Sequence, residues 1–266
     1  MFRLQEKNGV QYYTIDSFEK TGLVKHCFTT RVGGVSKGAY ESMNLRLNCD
    51  DARENVLRNF EIIGDAIGVR RRDMVLSHQI HEDVVYNAAA SDRGNGLMRE
   101  NALDSADGLM TAARGMALVT FYADCVPLFF LDPVKKVIAL SHSGWKGTVK
   151  KIGAKTIRQM AEVHGSNPAD ILTGIGPSIG VCHFEVGGEV AEQFEAVFGK
   201  QVLQKFGEKW HVDLQKAVTM QLLEAGILEN HITNAGICTY CNSGLLFSHR
   251  KTQGHRGSLA AIMELK

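Results

Sequence analysis

The chain has 266 residues, 44% of them hydrophobic and 22% charged, with a formal net charge of +1. That length supports a sizeable core, and so even a charge balance offers no field for a nucleic acid or other polyanion. No segment reaches the roughly 20 apolar residues of a membrane helix, and the opening MFRLQEKNGVQYYT lacks a signal peptide's apolar run. The expectation is a soluble, cytoplasmic protein with neither nucleic acid nor membrane as partner.

In chain order, residues 29–40 (TTRVGGVSKGAY) read as a loop by composition, and 51–68 (DARENVLRNFEIIGDAIG) as a helix. VLSHQIHEDVV carries His78 and His81. On an extended strand that separation places the two side chains on opposite faces, so they form no ready-made clamp. GMALVTFYADCVPLFFLD (115–132) and KKVIALSHSG (135–144) are apolar runs separated by a turn signal at Asp132–Pro133, and read as neighbouring buried strands. Residues 148–165 have helical spacing through Val149, Ile152, Ile157, Met160 and Val163, and stop at Gly165. ADILTGIGPSIG reads as a strand entering a glycine-rich turn. GGEVAEQFEAVFGK and DLQKAVTMQLLEAGI read as amphipathic helices. In GLLFSHRKTQGHRGSLAAIMEL two apolar strands bracket a basic loop. Strands alternating with helices, without repeat or linker, indicate one mixed α/β domain over 1–266.

Six cysteines stand at 27, 49, 125, 182, 238 and 241. Without a secretory signal they should stay reduced. Cys238 and Cys241 have C-x-x-C spacing, but zinc would want a second such pair or histidines at matching spacing, and the sequence shows neither. Cys125 and His142 stand out more, each set beside a small or turn-forming residue in an apolar run. One cysteine and two histidines can hold zinc with a fourth position left for water or substrate. The same residues also suit a Cys/His hydrolase, with Cys125 as thiolate nucleophile, His142 as base and a carboxylate such as Asp124 orienting it. Residue type alone does not separate the two readings, nor either from a buried thiol with hydrogen-bonded histidines.

The segments TTRVGGVSKGAYESMNL, SHQIHEDVV, DSADGLMT, ADCVPLFF, HSGWKGT, GIGPSIGVCHFEVG, ICTYC and FSHR, closing with GHRG, run in order from Thr29 to Gly257. Together they resemble the YlmD/YfiH-type family, once called polyphenol oxidases or laccase-domain proteins and now regarded as purine nucleoside phosphorylases. The resemblance implies an α-β-β-α layered arrangement of mixed sheets. It implies zinc, with copper as the alternative metal, held by His81, Cys125 and His142, and so chooses His81 over His78. It implies phosphate and purine nucleosides as small-molecule partners: phosphorolysis of adenosine, inosine, guanosine and methylthioadenosine, together with adenosine deamination. Copper oxidation of phenols ranks behind these, because the histidines are scattered and not clustered. A purely structural zinc would call for a fourth protein ligand, which the sequence does not offer.

Phosphorolysis needs an anion site, for which Arg46, Lys146 and Arg250 are candidates, with the backbone N–H groups of 176–180 as a further option. Deamination needs a proton shuttle, for which Asp124 is the candidate, although beside Cys125 it could equally orient a histidine. Gln79, two residues before His81, is a candidate contact for base or ribose. Phe121, Phe129 and Phe130 read as core, Trp145 as packing, and Tyr40 as a pocket-lining loop residue. Four positions depart from the family pattern: Ser143 for Ala, Lys146 for Arg, His249 for Tyr, and His183 where Cys, Ser or Tyr is common. Lys146 keeps the charge but loses the bidentate fork. Nothing in the sequence speaks to an oligomeric state.

Overall fold

In the strand Val126–Asp132 every residue is buried. Leu128 and Phe130 enter one apolar cluster, and Phe129 and Leu131 another. The neighbouring strand Val137–Ser143 divides the same way, with Val137 and Ala139 to one side and Ile138 and Leu140 to the other. Such period-two sorting of a wholly apolar run is what a strand covered on both faces requires. The computed structural model, which describes residues 1–266, places both strands at the centre of a six-stranded sheet. Its order is Ile232–Asn234, Leu172–Ile175, Val126–Asp132, Val137–Ser143, Gly108–Thr111, Val85–Asn87. The central pairs are antiparallel and both edge pairs parallel.

A second six-stranded sheet runs Phe2–Lys7, Val10–Ile15, Val24–Thr29, Leu259–Leu265, Ala117–Tyr122, Met74–Leu76. Leu118, Leu259, Ala261 and Met263 face the first sheet, whereas Ala117, Val119, Ala260 and Ile262 face away. The helix Arg53–Ile67 covers that outer face through Val56, Phe60, Ile63 and Ala66, the spacing of one helical stripe. On the far side of the first sheet lie the helices Ile152–His164, Gly188–Phe198 and Leu214–Glu224. The result is the α-β-β-α layering of mixed sheets, with a small three-stranded sheet of Glu185–Val186, Lys209–Val212 and Leu203–Phe206 beside it.

Four sequence expectations need correction. The run 115–132 is not one strand: it bends at Ala123–Cys125 and its halves join different sheets, with Asp124 in the left-handed region at φ 86°. Strand Met74–Leu76 ends before His78, so the alternation argument for His78 and His81 does not apply; His81 itself has φ 63°. The helix expected over 148–165 breaks at Lys150–Lys151, where Lys151 has φ 57°, and resumes as Ile152–His164. Near the C-terminus there is one strand, Leu259–Leu265. Leu246 and Phe247 enter the core between the sheets without pairing, and His249–Thr252 is a short helix capped by Ser248.

Candidate functional site

His81, Cys125 and His142 come from three separate places: the loop after the edge strand of one sheet, the bend where the chain passes between sheets, and the end of a central strand of the other. Their ligand-capable atoms all lie within 4.8 Å of one another. The residue that makes this possible is Asp107, which is fully buried. Its carboxylate accepts the backbone N–H groups of Ile80, His81 and Glu82 at 2.9–3.1 Å, which fixes the His81 loop. The same carboxylate is 2.8 Å from His142 Nδ1. With Nδ1 donating to Asp107, Nε2 of His142 is the nitrogen left to meet Cys125 or a metal. Gly144 keeps the middle of the group open. A Cβ there would stand 3.3 Å from His81 Cδ2 and 3.4 Å from Cys125 Sγ.

Electrostatics follow from this packing. Burial works against an ionised Cys125, but His142 and His81 beside it outweigh burial and bring the thiol down to about 6. Burial likewise opposes a charged His142, yet Cys125 and Asp107 raise it to about 9. Asp107 is held below the ordinary carboxylate range: burial is overcome by the hydrogen bonds from His142 and from the backbone of Glu82 and Ile80. Without metal, the trio is a thiolate beside an imidazolium backed by a carboxylate. That arrangement can bind a soft or borderline cation or serve as a nucleophile–base pair.

The trio opens onto a cavity of about 840 Å³, within the size range of small-molecule sites. Its lining includes apolar Leu47, Leu97, Met98 and Phe121, and also Arg46, Arg53, Arg99 and Arg256 against one acid, Glu100. Arg256 is pushed below its ordinary value by burial and by the neighbouring Arg46. Its NH1 donates to Gly257 O and Ser258 Oγ, which locks the side chain, while its buried Nε has no protein partner. Two guanidiniums that each disfavour the other's charge form a site that an anion would stabilise.

Of the cationic candidates from sequence, Arg46 lines this cavity and Lys146 and Arg250 do not. Lys146 is exposed and lies over the Trp145 ring at 5.7 Å. The Arg250 guanidinium donates to the carbonyls of His183 and Glu185, so it braces a neighbouring turn. Asp124 is also committed elsewhere. One carboxylate oxygen accepts Thr239 Oγ1 at 2.5 Å and the other the Arg250 backbone N–H at 2.7 Å. Both oxygens thus brace the Cys125 bend, and Asp124 is not part of the cavity lining. Gln79 reaches the cavity wall, but its amide is paired with both backbone groups of Phe121 at 2.6 and 2.8 Å. Phe129 and Phe130 are wholly buried, whereas Phe121 is partly exposed at the cavity. Tyr40 lies outside it, hydrogen-bonded to the Asp50 backbone. Ser143, where the family has Ala, pairs its hydroxyl with Thr148 at 2.8 Å.

Sequence reasoning missed three things. Asp107 sits in DSADGLMT, and its signal was a charged residue immediately before a buried strand. Arg256 was visible only as part of a basic loop. The third corrects an explicit expectation: Cys238 and Cys241 do have further donors nearby. Cys182 and His183 fold onto them, with all four ligand atoms within 4.8 Å.

Comparison with known proteins shows the family and the fold. Residues 25–266 match the family model described as multi-copper polyphenol oxidoreductase laccase. The chain is 36% identical over 243 residues to the purine nucleoside phosphorylase YlmD of Bacillus subtilis, covering 90% of this chain and 87% of that protein. It is 30% identical to the purine nucleoside phosphorylase YfiH of Escherichia coli, covering 88% and 92%. Among solved structures, YfiH of Bacillus licheniformis superposes with a TM-score of 0.93 at 31% identity, over 100% of this chain and 99% of that one. YlmD of Geobacillus stearothermophilus gives 0.92 at 30%, over 100% and 98%.

Proposed function

The chain belongs to the multi-copper polyphenol oxidoreductase laccase family, and from that premise we propose that it is a zinc-dependent purine nucleoside phosphorylase. The observation that carries the reading is one cavity lined by the Cys125 trio together with several arginines and several apolar side chains. Phosphate is drawn to Arg46 and Arg256, two neighbouring cations on the cavity lining. The purine lies along Phe121, Leu97 and Met98, and the ribose spans the gap. Adenosine, inosine, guanosine and methylthioadenosine share this shape, and deamination of adenosine would use the same cavity.

Zinc fits the donor set of one thiol and two imidazoles, with His142 oriented by Asp107 and the centre kept open by Gly144. Copper fits less well as an oxidase centre. Multicopper chemistry needs adjoining histidine clusters, and the trio has two histidines while the Cys182 group has one. When bound, zinc would supply Lewis-acid polarisation of an oxygen in the cavity. The chain's own residues do the rest: Asp107 fixes the His81 loop and the His142 tautomer, the arginines bind phosphate, and the apolar side chains exclude water from the base.

One observation supports a second reading. Cys125, His142 and Asp107 also form the nucleophile, base and orienting carboxylate of a Cys/His amidase, with Asp107 in the role that sequence reasoning gave Asp124. Product analysis with adenosine, with and without phosphate, separates the two. Adenine released only with phosphate, and lost in Cys125→Ala and on zinc removal, is the expected outcome. Inosine formed without phosphate marks deamination. An absence of nucleoside turnover, with amide hydrolysis surviving chelation, would overturn the proposal in favour of the amidase.

A further inference from the structure

We propose that Cys182, His183, Cys238 and Cys241 form a second zinc site, structural and closed, which holds the wall behind Cys125 in place. The donors are three thiols and one imidazole, and no pair of their ligand atoms is more than 4.8 Å apart. Cys182 Sγ and Cys241 Sγ are 3.8 Å apart, and His183 Nδ1 is 3.1 and 3.4 Å from them. Thiolates bound at about 2.3 Å to a tetrahedral zinc stand about 3.8 Å from each other. Three thiols cannot all be used by one disulfide, and a disulfide would leave the histidine without a purpose. Four protein ligands fill a tetrahedron and leave no position for a substrate, the mark of a structural site.

The surroundings are built for these four donors. The His183 ring stacks on Tyr240 with centroids 3.8 Å apart and planes 16° from parallel, so its Nδ1 is aimed and held. Gly180 donates its N–H to Cys238 Sγ at 3.2 Å, the kind of bond that supports a ligating sulfur. Gly180 also leaves the group open: a Cβ there would meet Cys238 Cβ at 3.2 Å and Cys182 Sγ at 3.3 Å.

The purpose follows from what the ligands join. Cys182 and His183 belong to the turn after strand Leu172–Ile175, and Cys238 and Cys241 to a turn about 55 residues later. Between them run only a few hydrogen bonds, among them Ser178 N–H to Ile237 O and Thr239 N–H to Ser178 O. Both turns grip Asp124: Ile179 N–H donates to its backbone carbonyl, and Thr239 Oγ1 to its carboxylate. Asp124 precedes Cys125 at the bend between sheets. Zinc in the second group would therefore clamp the two turns that fix the Cys125 bend, from outside the cavity.

The test is zinc counting on the full chain purified from zinc-supplemented medium, in wild type, Cys125→Ser and the double variant Cys238→Ser/Cys241→Ser. Two zinc ions per chain are expected in wild type and one in each variant. Cobalt substitution adds an independent readout: Cys125→Ser should keep an intense thiolate-to-cobalt band, and the double variant should lose most of it. Chelation of Cys125→Ser should lower its melting temperature. Should the double variant fail to fold, Cys125→Ser alone decides, because its cluster is intact. One zinc in wild type with none in Cys125→Ser would overturn the proposal. So would a disulfide among Cys182, Cys238 and Cys241 in the freshly purified chain.

Discussion

Two groups of sulfur and imidazole donors meet at the Cys125 bend, one containing Cys125 and the other tied to it through Asp124, and they differ in what backs them and what faces them. His81, Cys125 and His142 are backed by a buried carboxylate, Asp107, and face a cavity. Cys182, His183, Cys238 and Cys241 are backed by backbone N–H groups and an aromatic ring, and two of the four side chains are exposed at the surface. The first has three donors and a cavity beside them; the second has four and lies outside that cavity. Donor type hardly distinguishes a working metal centre from a clamp. The count of protein ligands, a charged group behind them and space in front do so.

The sharpest way to break this contrast is Cys125→Ser. It should reduce phosphate-dependent turnover to background while the second group keeps its zinc, read as activity and metal content on one sample. Surviving turnover would place the chemistry elsewhere. Next comes Asp107→Asn, which leaves the ligands untouched but disturbs the His142 tautomer and the grip on the His81 loop. Zinc affinity at the first site should fall on the order of 10–100-fold, by competition with a chromophoric chelator, without change at the second.

Arg256→Ala removes a charge-assisted contact worth about 1.5–3 kcal/mol, so KM for phosphate should rise on the order of 10–100-fold, with a smaller effect on KM for the nucleoside. Lys146→Ala, outside the cavity, should change neither KM by more than about twofold. Equal effects of the two substitutions would move the anion site away from Arg46 and Arg256. The mildest test is a titration. In metal-stripped protein the reactive form of Cys125 is the thiolate, so its alkylation should slow as pH falls through about 6, and not through the usual thiol range near 9. The shift is downward because the imidazole neighbours outweigh burial. In the His142→Ala variant the inflection should move up.

Much of the fold was legible because apolar sorting is local. Runs such as VPLFFLD and KKVIALSHSG could only be covered strands, and the stripe of Val56, Phe60 and Ile63 could only be a helix face. The bend at Ala123–Cys125 was not legible. Asp124 adopts φ 86° because the turn at Thr239 and the backbone of Arg250 hold its carboxylate, and both lie more than 100 residues away in sequence. The cluster around Cys238 escaped for the same reason: its other two donors adjoin it only through tertiary folding. Asp107 is the more instructive omission, since no pattern distinguishes a carboxylate that will organise a loop and a histidine from one at a strand's solvated end. Among the basic candidates, Lys146 lies only four residues from His142 in sequence. The backbone carries Lys146 away on a helix and brings Arg256 in from the C-terminal loop.

The most direct measurement is the yield of free adenine from adenosine against phosphate concentration, for zinc-loaded wild type and for Cys125→Ser with its second zinc retained. Saturable, phosphate-dependent adenine and pentose 1-phosphate from wild type alone are the expected result. Equal yields from both proteins, or adenine formed without phosphate, would contradict a phosphorylase centred on Cys125.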